Sequence, residues 1–119
     1  MNKTVLIIED SSYMRDILSK ALKHYEEMDI KEAKDGEEGI SKFEEVEPDI
    51  ILLDLNLPGM KGDELLEEIS GSDNKSEVLI VTGVPQDELL ERCLDLGAQD
   101  YIVKPFELDE LREKVEELI

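Results

Sequence analysis

The chain has 119 residues, which is the size of one domain, and its 32 acidic and 13 basic side chains give a formal net charge of −19. This charge argues against nucleic acid or an anionic membrane as a direct partner, because binding to phosphate groups needs clustered Lys and Arg. The single cysteine, Cys93, rules out a disulfide within the chain and is compatible with a reducing cytosol. We find no signal peptide and no apolar stretch of membrane-spanning length, and therefore expect a soluble cytoplasmic protein.

The first apolar run, Val5–Ile8, predicts a strand that is buried on both faces of a parallel sheet. It is too short for a helix and shows no alternation of apolar and polar residues. Apolar residues then recur at three- and four-residue intervals, which predicts an amphipathic helix from about Ser12, capped by Ser11 or Ser12. These residues are Met14, Ile17, Leu18, Ala21, Leu22 and Tyr25.

The middle of the chain repeats the alternation of strand and helix. A weaker strand at about Asp29–Ala33 precedes a turn at Asp35-Gly36. A second helix ends before Pro48, since the residue before a proline is disfavoured in a helix. Its inward positions are Ile40, Phe43 and Val46. The third strand, Ile50–Asp54, runs into a loop and then into a helix that starts near Gly62 and stops around Gly71. Leu65, Leu66 and Ile69 should face inward on that helix.

The last third of the chain adds two more strands, each followed by a helix. Val78–Val81 and Tyr101–Val103 predict the fourth and fifth strands. The fourth helix is expected to end at Gly97 and the fifth to begin beyond Pro105. The inward positions should be Leu89, Leu90, Cys93 and Leu94 on the fourth helix, and Leu108, Leu111, Val115 and Leu118 on the fifth.

Five strands that alternate with five helices predict an α/β fold with a doubly wound, five-stranded parallel sheet and helices on both faces. We expect residues 1–119 to form one domain. Right-handed crossovers restrict the strand order, and the order 2-1-3-4-5 would place the first and third strands on either side of the switch point. That order brings Glu9 and Asp10 beside Asp54.

Polar groups follow the buried strands at the edge where open α/β sheets bind ligands. Glu9, Asp10 and Asp54 would repel one another there, and a hard divalent cation such as Mg²⁺, which prefers oxygen ligands, would resolve the conflict. A carboxylate can attack a phosphoryl group when the phosphoryl charge is neutralised. Lys104 and Thr82 could bind the phosphoryl oxygens, so the pattern predicts an acyl-phosphate site.

Four motifs together resemble the receiver domain of two-component response regulators, of the single-domain CheY-like type. They are Glu9-Asp10, the segment Asp54-Leu55-Asn56-Leu57-Pro58-Gly59, Thr82-Gly83 and Tyr101–Phe106. The resemblance covers essentially the whole chain, and the predicted strand order 2-1-3-4-5 is also that of CheY.

The resemblance implies a role for each matching residue. Asp54 would be the phosphoacceptor, with Asp10 and Asp54 as direct Mg²⁺ ligands. Glu9 would act on the metal through water, and the backbone carbonyl of Asn56 would complete the protein ligands. Thr82 and Lys104 would bind the phosphoryl group, and Tyr101 would change rotamer with Thr82. The family also implies a cis Lys104–Pro105 bond, after which Phe106 covers the core.

Several positions depart from the commonest family pattern. Glu9 replaces a more usual Asp, and Lys61 replaces an Asp before Gly62, which we interpret as a neutral surface change. Val84 and Asn56 lie at positions that in this family tune the lifetime of the acyl phosphate. Because the apolar Val84 cannot orient an attacking water, we expect slower self-dephosphorylation than in a variant with a polar residue there.

The implied function is a phosphorylation-dependent signalling switch rather than an enzyme that turns over a separate substrate. The expected partners are a sensor histidine kinase or phosphotransfer protein and a downstream target protein. The chain would be a monomer or a weak dimer through the fourth-helix to fifth-helix face. Two alternatives stay open: a receiver-like interaction module that is not phosphorylated, and an aspartyl-phosphate phosphatase of the haloacid dehalogenase type.

Overall fold

The computed structural model describes residues 3–71, 75–83 and 88–119, and within them five strands and five helices alternate along the chain. The strands are β1 (Lys3–Ile8), β2 (Met28–Ala33), β3 (Ile50–Asp54), β4 (Glu77–Thr82) and β5 (Asp100–Val103). The helices are α1 (Ser12–Leu22), α2 (Gly36–Val46), α3 (Gly62–Ser70), α4 (Glu88–Asp95) and α5 (Leu108–Leu118).

The strands form one parallel sheet in the order β2-β1-β3-β4-β5, which confirms the predicted order. Successive side chains of a strand point to opposite faces, and every residue of β3 is buried, so the central strands contribute to two cores. The edge strand β2 keeps its charged residues exposed, which accounts for its weak apolar signal.

Each face of the sheet carries one core. The core on one face includes Leu6, Ile8, Ile51 and Leu53 and residues of α2, α3 and α4. The other core includes Val5, Ile7, Ile50 and Leu52 and residues of α1 and α5. Helices on both faces establish the predicted doubly wound architecture.

Local sequence explains where the helices start. The Ser11 side chain caps α1 by accepting a hydrogen bond from Met14 N at 3.2 Å, as predicted. Asp35 caps α2 in the same way, with Glu38 N at 2.8 Å from its Oδ1. Gly36 is buried at the start of α2, where a Cβ would lie 2.8 Å from the Cβ of Met60. The loop after β3 therefore packs directly on the first turn of α2.

The prediction of an inward position is wrong for two residues. Leu94 is 36% exposed and Leu108 is 42% exposed. On α4 the inward positions are Leu90 and Cys93, so Leu94 falls on the rim of that face. Leu108 is the first residue of α5 and lies before the buried residues of the helix. Both side chains are therefore exposed apolar groups, one on α4 and one on α5.

Candidate functional site

The register of β1 and β3 places two acidic residues side by side at the carboxyl edge of the sheet. Ile8 is opposite Leu53, so the residues that follow them, Glu9 and Asp54, are level with each other. Glu9 is 2% exposed and Asp54 is 7% exposed, an unusual depth for carboxylates. The prediction that the switch point brings them together is confirmed.

The register of the next two strands extends this row. Asp54 is opposite Val81, which precedes Thr82, and Thr82 is opposite Val103, which precedes Lys104. Thr82 is fully buried, and its carbonyl accepts a hydrogen bond from the backbone N–H of Lys104 at 2.7 Å. The polar ends of four strands therefore line one edge, as the sequence predicted.

Three carboxylates converge closely enough to share one cation. One oxygen from each of Glu9, Asp10 and Asp54 lies within 4.8 Å of the others. Asp10 is exposed, whereas the other two are buried, so the cluster opens to solvent on the Asp10 side. An all-oxygen set that retains access to water suits Mg²⁺, which keeps part of its hydration shell.

Lys104, the residue that follows β5, brings a cation to this cluster. Its Nζ lies 2.8 Å from Oε1 of Glu9 and 3.7 Å from Oδ1 of Asp54, and the Lys104–Pro105 peptide bond is cis. Burial raises the pKa of Glu9 above its ordinary value, and the charge of Asp54 adds to this effect. The hydrogen bond from Lys104 lowers the pKa of Glu9, but burial outweighs it.

The loop after β3 contributes a hydrogen bond to the Asp54 carboxylate. Asn56 N lies 3.4 Å from Oδ1 of Asp54, and Asn56 itself is exposed. A second backbone hydrogen bond, from Gly62 N to Leu55 O at 3.0 Å, closes this loop onto the start of α3. The structure thus brings Asn56 next to Asp54, while the use of its carbonyl as a ligand stays a prediction.

Two aromatic residues near β5 differ in their surroundings. Tyr101 is 36% exposed on the strand, opposite Ile80 of β4. Phe106 is partly buried against the core beneath α1 and α5, as predicted. Val84, which was predicted to slow the loss of the phosphoryl group, lies outside the described residues.

Sequence reasoning missed one residue at this edge. The Arg15 guanidinium, on the first turn of α1, donates to the carbonyl oxygen of Glu9 at 2.7 Å and to that of Asp10 at 3.1 Å. Side chains of a helix point back toward its N-terminus, so a basic residue one turn into α1 was the available signal. It is a second cation beside the acidic cluster.

Comparisons with known proteins agree with this geometry. The family model "Response regulator receiver domain" matches residues 5–116. The chemotaxis protein CheY of Listeria monocytogenes is 34% identical over 112 residues, which are 94% of this chain and 94% of that protein. A CheY-like receiver domain of Methanospirillum hungatei has a TM-score of 0.91 at 32% identity, covering 98% of this chain and 93% of the other. A CheX–CheY–BeF₃–Mg²⁺ complex from Borrelia burgdorferi has a TM-score of 0.89 at 29% identity, with coverage of 98% and 88%.

Proposed function

The chain belongs to the response regulator receiver domain family, and from this premise we propose that it is a signalling switch that accepts a phosphoryl group on Asp54. The observation that carries the proposal is the convergence of Glu9, Asp10, Asp54 and Lys104 at one edge of the sheet. We propose that residues 1–119 act as one receiver domain.

The acidic cluster is suited to hold Mg²⁺. Asp10 and Asp54 would bind it directly, Glu9 through water, and Asn56 through its backbone carbonyl. The converging carboxylate oxygens support this assignment. A bound Mg²⁺ would neutralise part of the charge on the phosphoryl oxygens. Lys104 would supply the remaining positive charge as a donor to one of those oxygens.

The proposed nucleophile is a carboxylate oxygen of Asp54. Among the described residues, the hydrogen bond and the ion pair of this carboxylate both involve Oδ1, which leaves Oδ2 for attack. A bond would form between this oxygen and the phosphorus of a phosphohistidine, while the phosphorus–nitrogen bond breaks and the imidazole leaves with the electron pair. The donor would be a sensor histidine kinase or a phosphotransfer protein.

The response would travel from the site to the surface formed by α4, β5 and α5. The phosphoryl group would draw the hydroxyl of Thr82 and the ammonium of Lys104 toward Asp54. The half-exposed Tyr101 would then turn into the space beside Thr82 and shift a pre-existing equilibrium between two conformations. Leu94 on α4, Tyr101 on β5 and Leu108 on α5 are exposed apolar side chains that a target protein, or a second copy in a weak dimer, could cover.

The Borrelia complex offers an analogy both for occupation of the site and for binding of a target, since it contains a CheY together with the protein CheX, BeF₃ and Mg²⁺. Receiver domains act as switches, and we expect no turnover of a separate substrate by this chain. The signal would leave the domain through protein contact.

Beryllofluoride tests this proposal without covalent chemistry. With Mg²⁺ and beryllofluoride, we expect the amide resonances of Asp54, Thr82 and Lys104 to shift in ¹⁵N spectra, with further shifts at Tyr101 and Leu94. The variant Asp54→Asn is the control and should give none of these shifts. Equal shifts in that variant, or an unchanged wild-type spectrum, would contradict the proposal.

A further inference from the structure

Arg15 holds the main chain at the end of β1 rather than any group at the centre of the acidic cluster. Its Nη1 donates to the carbonyl oxygens of Glu9 at 2.7 Å and of Asp10 at 3.1 Å. Its Nε lies 3.6 Å from Oε1 of Glu32 on β2, and the side chain is only 19% exposed. One side chain of α1 is thereby tied to both the β1 end and the neighbouring strand.

The two carbonyls belong to the two peptide units that flank the Cα of Asp10. Because each peptide unit is planar, fixing both of them fixes the φ and ψ angles of Asp10 and the direction of its Cα–Cβ bond. Asp10 needs this support more than Glu9 and Asp54, since those are buried and Asp10 is exposed just beyond the strand. The two hydrogen bonds from the Arg15 guanidinium therefore restrain the backbone on both sides of the Asp10 Cα.

We infer that Arg15 is a positioning residue for the metal site, an inference that rests on the proposed function. Arg15 orients Asp10 so that its carboxylate reaches the cation shared with Glu9 and Asp54. Groups that orient metal ligands are worth about 10–100-fold in metal affinity when they are lost. Arg15 suits this task because its guanidinium is planar, permanently charged and presents several donors at fixed angles, whereas Lys presents one compact charge.

The charge of Arg15 and its two hydrogen bonds have opposite effects on the affinity for Mg²⁺. Arg15 is a cation beside a cation site, so removing its charge alone would raise the affinity for Mg²⁺. Removing the two hydrogen bonds would let Asp10 adopt other backbone angles and would lower the affinity. The sign of the change therefore distinguishes the two roles.

The experiment is a calorimetric titration of the metal-free protein with Mg²⁺. We expect Arg15→Ala to weaken binding by about 10-fold, despite the loss of a positive charge. Arg15→Lys keeps the charge but cannot reproduce the two-carbonyl contact, so it should also bind more weakly than wild type. Lys20→Ala is the matched control, because Lys20 lies on the same helix, is exposed and pairs with Asp16 at 2.9 Å. It should not weaken binding.

The ion pair with Glu32 is tested separately. Glu32→Gln removes the charge that Arg15 faces on β2 and leaves both carbonyl contacts available, so Mg²⁺ affinity should stay near wild type. In phosphorylation by acetyl phosphate, the Arg15 variants should need more Mg²⁺ for half-maximal rate and should approach the wild-type rate at saturating Mg²⁺. A role confined to fold stability would lower the urea midpoint without changing this requirement.

Equal or tighter Mg²⁺ binding by Arg15→Ala overturns the inference, provided that the wild type binds Mg²⁺ at this site. Absence of Mg²⁺ binding by the wild type, or binding that persists when Asp10 and Asp54 are both changed to Asn, overturns the proposed function instead. The two failures are therefore distinguishable within one set of titrations.

Discussion

Glu9 is the residue whose surroundings differ most from those of an ordinary glutamate. Its carboxylate is 2% exposed, lies in the same cluster as Asp10 and Asp54, and receives a hydrogen bond from Lys104. Burial raises its pKa in the metal-free protein more than Lys104 lowers it. Because Glu is one methylene longer than the more usual Asp, its carboxylate reaches farther from β1, and here it contacts Lys104 at 2.8 Å.

This raised pKa predicts how metal-free stability depends on pH. The unfolded chain releases the Glu9 proton near the free-glutamate pKa of about 4.3, and the folded protein releases it at higher pH. The protonated form therefore stabilises the fold at low pH, and this contribution is lost as the pH rises through the folded pKa. We therefore compare the free energies of unfolding of Glu9→Gln and wild type in the presence of a chelator. The value for the variant minus the value for wild type should increase as the pH rises above about 4.3.

Urea unfolding at a series of pH values measures this difference directly. Saturating Mg²⁺ is the control, since a cation at the site favours ionised Glu9 and should reverse the trend. If the free energy of unfolding of Glu9→Gln minus that of wild type decreases with increasing pH in chelator, burial is not the main influence on the pKa of Glu9.

The start of α3 shows how one departure from the family pattern affects a whole element. Lys61 is the N-cap of α3, with extended backbone angles of φ −78° and ψ 158°, and it makes no side-chain capping hydrogen bond. Lys61 is exposed, and its interpretation as a neutral change stays a prediction, on which its place at the helix terminus bears. A cation there also opposes the helix dipole.

Lys61→Asn should raise the free energy of unfolding by about 1 kcal/mol, because an Asn side chain can accept a hydrogen bond from the first turn. The urea midpoint with an unchanged slope is the measurement. Lys61→Ala removes the charge without adding a cap and separates the two effects. If Lys61→Asn has no higher free energy of unfolding than Lys61→Ala, the missing capping hydrogen bond does not reduce the stability of α3.

The elements also show what the sequence could and could not predict. Short apolar runs identified β1, β3 and β4, because central strands of a parallel sheet are buried on both faces. Helical periodicity failed at Leu94 and Leu108, since periodicity gives the angular position on a helix but not whether another element covers it. The contact of Arg15 with the site was missed because it is made to two backbone carbonyls, which no side-chain motif records.

At the scale of the whole molecule, the fold separates the chemistry from the surface that would report it. The acidic cluster lies at the carboxyl edge of β1 and β3, while three of the exposed apolar residues, Leu94, Tyr101 and Leu108, lie on α4, β5 and α5. Lys104 joins the two regions, since it follows β5 and contacts Glu9 and Asp54. In the part of the chain that the structure describes, no helix is long and apolar enough to cross a membrane.

The net charge of −19 limits the target rather than defining it. Like charges repel across an interface, so the surface that meets α4, β5 and α5 should not itself be strongly acidic. The two alternative functions make different demands on the site. An unphosphorylated module would not need the acidic cluster, and a phosphatase of the haloacid dehalogenase type needs an acid at the position of Asn56.

The most direct test of the central claim is the intact mass of the protein after incubation with acetyl phosphate. With Mg²⁺, we predict that the mass of wild type increases by one phosphoryl group. This increase should disappear with chelator and in Asp54→Asn, and fragmentation should place the group on Asp54. An adduct that forms without Mg²⁺, that persists in Asp54→Asn, or that never forms in wild type would contradict the account.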